Sequence, residues 1–157
     1  MLTVSRTETD QVCTIVLSGE LTDEHDFAAK MGEAPTQKDL IVKSKLLNRL
    51  NSMGIRAWLK FFRAAQTQGN KIRFQDCSPE VVEQMNLFHN FNCGGSIESV
   101  WLPFLCVKCH AEPRALFTAE ELKKIAPQIS PIKCSKCGSE AKFDDILEGY
   151  FKFLKRG

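Results

Sequence analysis

The chain has 157 residues, of which 43% are hydrophobic and 25% are charged, and its formal net charge is +2. Its length suits one domain with a small appendage, and its composition is ordinary for a globular protein with a sizeable core. No apolar run is long enough to span a bilayer, so we expect no membrane insertion. The net charge is too small to indicate a nucleic-acid partner by itself, although residues 101–157 carry 10 basic against 7 acidic side chains.

The first half of the chain is predicted to alternate between strands and helices. β-Branched and apolar residues predict paired strands over 2–7 and 12–17, with a turn between them. Thr22 is the expected N-cap of a first helix, because acidic residues fill the turn that follows it. A short strand is then predicted over 40–43, with a connection over 44–50.

The next elements complete the alternating order β-β-α-β-α-β-α-β. A helix is predicted from about 54 to 68, since its apolar residues recur at helical spacing, and a strand follows over 71–76. Ser78 and Pro79 indicate a further helix start, with a capping side chain and a proline in the first turn. A last strand is expected to begin at 96 and to run to about 102. The side chains expected to be buried in the helix after Ser78 are Val82, Met85 and one of Leu87 and Phe88.

Two C-x-x-C pairs are the most informative feature of the chain: Cys106 with Cys109, and Cys134 with Cys137, separated by 24 residues. Two intervening residues let both thiolates of a pair turn toward one point, so the two pairs can form a tetrahedral four-sulfur site. Zn²⁺ suits four thiolates, and four protein ligands leave no position for water, so the expected ion is structural. The alternatives are a rubredoxin-like iron site, two disulfides and two exposed thiol pairs.

The start of the chain bears on these alternatives. Residues 1–6 contain no apolar segment of the kind that a signal peptide needs, so we expect a cytoplasmic protein with reduced thiols. Between the cysteine pairs, a helix is expected over 119–126, opened by a capping box at Thr118 and ended by Pro127. A terminal helix is predicted over 143–154, and the apolar residues before Cys106 indicate that this module packs on the first domain.

The remaining cysteines and the histidine beside the first pair have plainer interpretations. Cys13, Cys77 and Cys93 lie outside the pairs and are predicted to be small buried side chains. His110 could replace a cysteine as ligand, but four thiolates already close the site, so we expect an exposed loop histidine. No nucleophile with a neighbouring base and no phosphate-binding glycine loop can be found, so we do not expect an enzyme.

One segment of the first half, Asn51-Ser-Met-Gly-Ile-Arg-Ala-Trp58, resembles the D-S-x-G or N-S-x-G motif of STAS domains, the fold of bacterial anti-sigma factor antagonists. Segments 16–21, 69–74 and 79–88 resemble the early strand, the next strand and the second helix of that family. The resemblance covers about residues 1–100 and implies a mixed sheet flanked by helices, an α/β fold. Residues 101–157 would then form a small zinc-ribbon-like module with helices of its own.

The resemblance also implies a role for Ser52. In the family, the matching serine is phosphorylated by a partner kinase that is itself an anti-sigma factor. Ser52 stands at a predicted helix start, where free N–H groups and the helix dipole stabilise a phosphate, although a plain N-cap is the alternative. A cationic stripe follows it, which suits an acidic partner or is simply a solvated face. The expected partner surface comprises Asn51, Ser52, Met53, Arg56, Lys60 and Arg63.

The sequence therefore predicts a cytoplasmic regulatory protein-interaction module whose partner resembles a kinase-type anti-sigma factor. One alternative is nucleic-acid binding by the zinc module, which acidic residues mixed among its lysines make the weaker hypothesis. Another is a small-ligand sensor, a second role that STAS domains have. The lysines that would contact nucleic-acid phosphates are Lys108, Lys123, Lys124, Lys133, Lys136 and Lys142.

Overall fold

The computed structural model describes residues 1–145 and 147–155, which form two β-sheets around a continuous hydrophobic core. The strands of the first sheet are β1 (Thr3–Glu8), β2 (Val12–Leu21), β3 (Asp39–Leu50), β4 (Lys71–Gln75) and β5 (Ser96–Ile97). They lie in the order β1-β2-β3-β4-β5, with β1 antiparallel to β2 and the others parallel to one another. The structure thus confirms the α/β class and the mixed sheet.

Three helices connect the parallel strands: α1 (Glu24–Met31), α2 (Ser52–Thr67) and α3 (Pro79–Leu87). α1 packs against α2, whereas α3 packs against β3. The apolar face of α2 carries Trp58 and Phe62, which are fully buried. The Trp58 ring stacks on Phe91 at a centroid distance of 4.7 Å and on Phe74 at 5.5 Å. These aromatic contacts fix α2 on the sheet, and the order of the first eight elements is as predicted.

β3 is much longer than the sequence indicates. The connection predicted over 44–50 is wrong, because these residues continue the strand. Its last part pairs with the end of β2: Ser18 lies opposite Leu46, and Leu21 lies opposite Leu50. The register shifts twice along this pairing, after Val16 and after Gly19, so the two strands stay paired with local irregularities. β3 therefore carries the chain beyond the end of β4 before α2 begins.

The second sheet is formed by β6 (Ser99–Cys106), β7 (Arg114–Thr118), β8 (Ile132–Lys133) and β9 (Glu140–Phe143), in the antiparallel order β7-β6-β9-β8. Its helix α4 (Ala119–Ile125) starts where the capping box predicted, with the Thr118 hydroxyl accepting from the N–H of Glu121 at 3.1 Å. The single strand predicted to start at 96 is in fact two strands, since β5 belongs to the first sheet and β6 to the second.

The long terminal helix predicted over 143–154 is not formed. Phe143 ends strand β9, and only a short helix α5 (Leu147–Tyr150) and a 3₁₀ helix (Lys152–Lys155) follow; residue 146 of the prediction lies outside the described residues. Phe143 packs edge-on to Tyr150 at 5.4 Å and stacks on Phe151 at 5.5 Å. The apolar spacing that resembled a helix therefore comes from separate elements that meet in one aromatic cluster.

The two sheets are joined by more than the covalent chain. β6 crosses the predicted boundary between residues 100 and 101, and its start forms a parallel bridge to Cys77, whose N–H donates to the carbonyl of Ser99 at 3.1 Å. The Asn86 side chain in α3 donates to the carbonyl of Tyr150 at 2.8 Å and accepts from the N–H of Phe153 at 2.9 Å. The packing of the C-terminal part on the first sheet, which the sequence predicted, is confirmed.

Several details of the first three helices differ from expectation. Asp23, not Thr22, caps α1, because its carboxylate accepts from the N–H of Asp26 at 2.9 Å. The cap of α3 at Ser78 is confirmed, as is the burial of Val82 and Met85. The expected burial of Leu87 or Phe88 is wrong, since they are 66% and 43% exposed; Val81 lies in the core instead.

Candidate metal centre

Both C-x-x-C pairs form turns of the same backbone shape. The carbonyl of Cys106 accepts from the N–H of His110 at 3.2 Å, and the carbonyl of Cys134 accepts from the N–H of Gly138 at 2.8 Å. The donor residue has a positive φ in both turns, 60° at His110 and 75° at Gly138. Glycine adopts this conformation freely, whereas a histidine rarely does, so the first turn keeps its shape at some backbone cost.

The four sulfur atoms converge on one point, as the spacing predicted. Sγ of Cys106 lies 3.5 Å from Sγ of Cys137, Sγ of Cys109 lies 3.7 Å from Sγ of Cys134, and all four lie within 4.8 Å of one another. Four thiolates around a tetrahedral ion with bonds of about 2.3 Å stand about 3.8 Å apart, while a disulfide brings two sulfurs to about 2 Å. All seven cysteines are free, so the geometry suits a metal ion and not two disulfides.

The backbone supplies hydrogen bonds that stabilise thiolates at this centre. N–H groups donate to Sγ of Cys106 from Cys109 at 3.5 Å and to Sγ of Cys134 from Lys136 at 3.4 Å. The backbone N–H and hydroxyl of Ser139 lower the pKa of Cys137 to about 6. The spacing of the cysteines did not predict that Ser139 contributes to the centre. A hydroxyl two residues after a ligand could have indicated it, because such neighbouring groups often hydrogen-bond to metal ligands.

Within this centre, Cys109 is the thiol that resists ionisation. The N–H of Ala111 lowers its pKa, but burial and hydrogen bonding with the three neighbouring cysteines outweigh that effect and raise the pKa to about 11. A divalent cation would remove this conflict, because it compensates the negative charge that four thiolates bring together. The residues present therefore fit a metal ion with four sulfur ligands.

The centre lies at one end of the second sheet, half inside the protein. Cys106 and Cys134 are buried, Cys109 is partly buried and Cys137 is exposed. Cys106 pairs with Ala141 in β9, and the N–H of Val107 donates to the carbonyl of Glu140 at 3.1 Å. With all four positions filled by the protein, an ion here would tie the two turns to the sheet and would not bind water.

The predicted burial of the three remaining cysteines and the predicted exposure of His110 are confirmed. His110 is exposed, and Cys13, Cys77 and Cys93 are buried. Burial raises the pKa of Cys77 to about 12, so this thiol is neutral and is not a nucleophile at ordinary pH. The six lysines predicted to face a nucleic acid are exposed: Lys108, Lys123, Lys124, Lys133, Lys136 and Lys142.

A second candidate site lies at the start of α2, far along the chain from the cysteines. Asn51 caps the helix, since its side-chain oxygen accepts from the N–H of Gly54 at 2.9 Å. The alternative that Ser52 is the N-cap is therefore wrong: Ser52 is the first residue of the helix and its side chain is exposed. Met53 is 44% exposed beside it. The motif thus presents a free hydroxyl and an apolar side chain to solvent.

Gly54 explains why this helix start sits so close to the sheet. A Cβ atom at this position would overlap the backbone carbonyl of Leu21, at the end of β2. The N–H of Asn51 also donates to that carbonyl at 3.4 Å. Only a glycine allows this approach, and the approach places Ser52 at the carboxyl edge of the parallel strands.

The predicted cationic stripe lies on the solvent side of α2. Arg56, Lys60 and Arg63 are exposed and follow one another along the helix surface. Among the residues that the structure describes, none of the three takes part in an ion pair. These cations are thus available to an acidic surface.

Two comparisons bear on identity. A scan against protein-family models and a search of curated proteins found no match to this chain. In the part of the chain that the structure describes, no helix has the length and apolar character that crossing a membrane would need.

Proposed function

We propose that this protein is a regulatory protein-interaction module that docks its partner at the start of α2, as STAS-type anti-sigma factor antagonists do. One observation carries the proposal: the exposed Ser52 and Met53 lead directly into an exposed stripe of cations on the same helix. A hydroxyl, an apolar anchor and positive charges within one helix form a compact recognition surface. The partner class is a kinase-type anti-sigma factor, and the compartment is the cytoplasm.

The local electrostatics of α2 support a phosphate at Ser52. The other helices of seven or more residues carry acids in their first turn, whereas α2 has none there. The positive end of its dipole is therefore not compensated by a side chain, and a phosphoserine at the first helical position would supply the missing negative charge. Arg56 stands four residues further along and can pair with that charge.

The proposed role of the metal centre is structural. Zn²⁺ is the ion that suits four thiolates without redox chemistry, and Cys106, Cys109, Cys134 and Cys137 would hold it. The ion would fix the turn that follows β6 against the end of β8. It thereby supports β6, whose start lies against Cys77 at the amino end of α3. We propose no catalytic step at this centre or elsewhere.

The proposal is tested by affinity purification from native cells with the zinc-loaded full chain as bait. Three baits are compared: the unchanged chain, Ser52→Glu and Ser130→Glu. Ser130 is exposed in the segment between α4 and β8, so its variant carries the same added charge away from the proposed surface. Recovered proteins are identified by mass spectrometry, and Ser52 is examined for phosphate in the same samples.

A kinase-type partner recovered with the unchanged chain and with Ser130→Glu, but lost with Ser52→Glu, would support a phosphorylation switch. Equal recovery with all three baits and no phosphate on Ser52 would refute the switch. An additional bait, with Arg56 and Arg63 both replaced by Glu, then tests docking alone. If this bait also recovers the same partners, the surface at the start of α2 is not the docking site.

A further inference from the structure

A surface cleft in the C-terminal half has a charge pattern that the proposed function does not use. It lies between α4 and the 3₁₀ helix and has a volume of about 580 Å³. Its floor includes Leu122 and Phe151, which are buried in the core, together with the partly buried Ala126. The cleft is open to solvent, so it can admit a chain segment as well as a compact ligand.

The charged side chains that line this cleft all have the same sign. They are Lys123 at the end of α4 and Lys152 and Lys155 in the 3₁₀ helix, and all three are exposed. In the described part of the chain, no carboxylate lines the cleft and none of these lysines forms an ion pair. Three like charges around an apolar floor repel one another and are complemented by an anionic occupant.

The neighbouring cleft between α3 and β6 has a different charge pattern. That cleft has a similar volume of about 590 Å³, but Glu80, Glu83 and Asp144 line it, and Arg114 pairs with Glu80 at 2.8 Å. Lys152 borders both clefts, so part of its charge is shared with these acids. Lys123 and Lys155 border only the cationic cleft and are the residues that define its charge.

We propose that this cleft binds an acidic segment of another protein that carries at least one apolar side chain. The apolar floor would accept that side chain, while the lysines on both walls would pair with carboxylates before and after it. A nucleic acid fits less well, because a base needs an exposed aromatic face to stack on and Phe151 is only 7% exposed. This site uses no residue of the α2 surface and is independent of the function proposed above.

The test selects binders without assuming a sequence. A displayed library of random 12-residue peptides is panned on the zinc-loaded full chain, and enriched peptides are synthesised with a fluorescent label for anisotropy titrations. Two double variants are compared: Lys123→Glu with Lys155→Glu, and Lys133→Glu with Lys142→Glu. The second pair is exposed in the same module, in β8 and β9, and changes the charge by the same amount. Zinc content and melting curves check that both variants are folded.

Enriched peptides are expected to combine Asp or Glu with Leu, Phe or Trp. The variant at Lys123 and Lys155 should weaken their binding at least tenfold, and the variant at Lys133 and Lys142 less than twofold. Replacing the apolar residue of a selected peptide by serine should also weaken binding at least tenfold. Equal loss with both variants, or enrichment of neutral or basic peptides, would overturn the proposal. The proposal would also be overturned if no peptide were enriched and the cleft instead bound laurate or a thymidine oligonucleotide in a way that depends on Lys123.

Discussion

Replacement of Gly54 by alanine gives a sharp test of the geometry at the start of α2. Helix propensity alone predicts that this change is favourable by about 1 kcal/mol, because glycine is a poor residue inside a helix. The structure predicts the opposite sign. An added Cβ would overlap the carbonyl oxygen of Leu21 and would stand 2.9 Å from Cγ of the same residue, when ordinary contact begins near 3.4 Å.

The size of the effect follows from what must move. The colliding oxygen belongs to the backbone of β2, so a side-chain rotation cannot relieve the overlap, and the first turn of α2 has to shift away from the sheet. Overpacking of this kind costs about 1–3 kcal/mol, and the shift also weakens the Asn51 hydrogen bond to Leu21. Because the added atom would collide with a backbone oxygen, we expect the upper part of this range, about 2–3 kcal/mol. Subtracting the gain in propensity leaves a net loss of roughly 1–2 kcal/mol, a factor of about 5–30 in the ratio of folded to unfolded protein.

The measurement is urea unfolding of the zinc-loaded chain, followed by circular dichroism and by tryptophan fluorescence, to which the buried Trp58 and the partly buried Trp101 both contribute. Gly149→Ala is the matched control, because Gly149 is also helical and a Cβ there would meet nothing within 4 Å. The control should be unchanged or more stable by up to about 1 kcal/mol. If Gly54→Ala were as stable as the unchanged chain, α2 would not approach β2 as closely as described, and the position of Ser52 would have to be revised.

Four further predictions concern the metal, the helix cap and the response to acid. Cys134→Ser should reduce the zinc content from about one ion per chain to almost none, whereas the control Cys13→Ala should keep its zinc. The zinc content is measured by mass spectrometry after gel filtration. A full zinc content in Cys134→Ser would refute the four-sulfur site. Chelation should shift one cooperative melting transition that includes both sheets, since their core is continuous; two separate transitions would contradict this. Asn51→Ala should lower the free energy of unfolding, measured in urea, by about 1 kcal/mol, because Asn51 caps α2. Ser52→Ala should lower it much less. Equal losses of stability in the two variants would count against Asn51 as the cap. Burial raises the pKa of Glu98, but hydrogen bonds from neighbouring side chains outweigh it and lower the pKa below its ordinary value of 4.5. The ionised carboxylate therefore adds stability above pH 4.5 that is lost as the pH falls through the lowered value, and Glu98→Gln should flatten this part of the stability curve.

The features that could be predicted from the sequence are the ones that local chemistry determines. The spacing of the four cysteines was sufficient to predict that their sulfurs meet, because each pair needs only a single turn of backbone. The caps at Ser78 and Thr118 were equally accessible, since each hydroxyl precedes a clear helix and lacks a competing neighbour.

The predicted cap of α1 and the alternative that Ser52 caps α2 were each wrong by one residue, for a physical reason. Thr22 and Asp23 are adjacent and both can cap a helix, as can Asn51 and Ser52. Which of the two does so depends on the residue at which the backbone leaves the strand, and this depends on the packing of the helix against the sheet. Sequence patterns alone do not contain that information.

The length of β3 and the division of the strand that starts at Ser96 were missed because both depend on distant partners. Residues 46–50 become a strand through pairing with β2, about 29 residues earlier in the chain. β5 ends at Ile97, where Glu98 turns its N–H to the carbonyl of Phe74 and its carboxylate to Arg73 at 3.0 Å. Pairing between remote segments decides such boundaries more strongly than the propensity of the residues themselves.

The position of β6 has a thermodynamic consequence. One end of this strand carries the ligand Cys106, and the other end lies against Cys77, one residue before the cap of α3. If the centre binds zinc and the first sheet binds the proposed partner, β6 would link the two binding events. Linkage is reciprocal, so a partner that favours the zinc-loaded arrangement would raise the affinity for zinc by the same factor. Metal supply would then become an input to the docking proposed at the first sheet, although the ion would touch no part of that sheet.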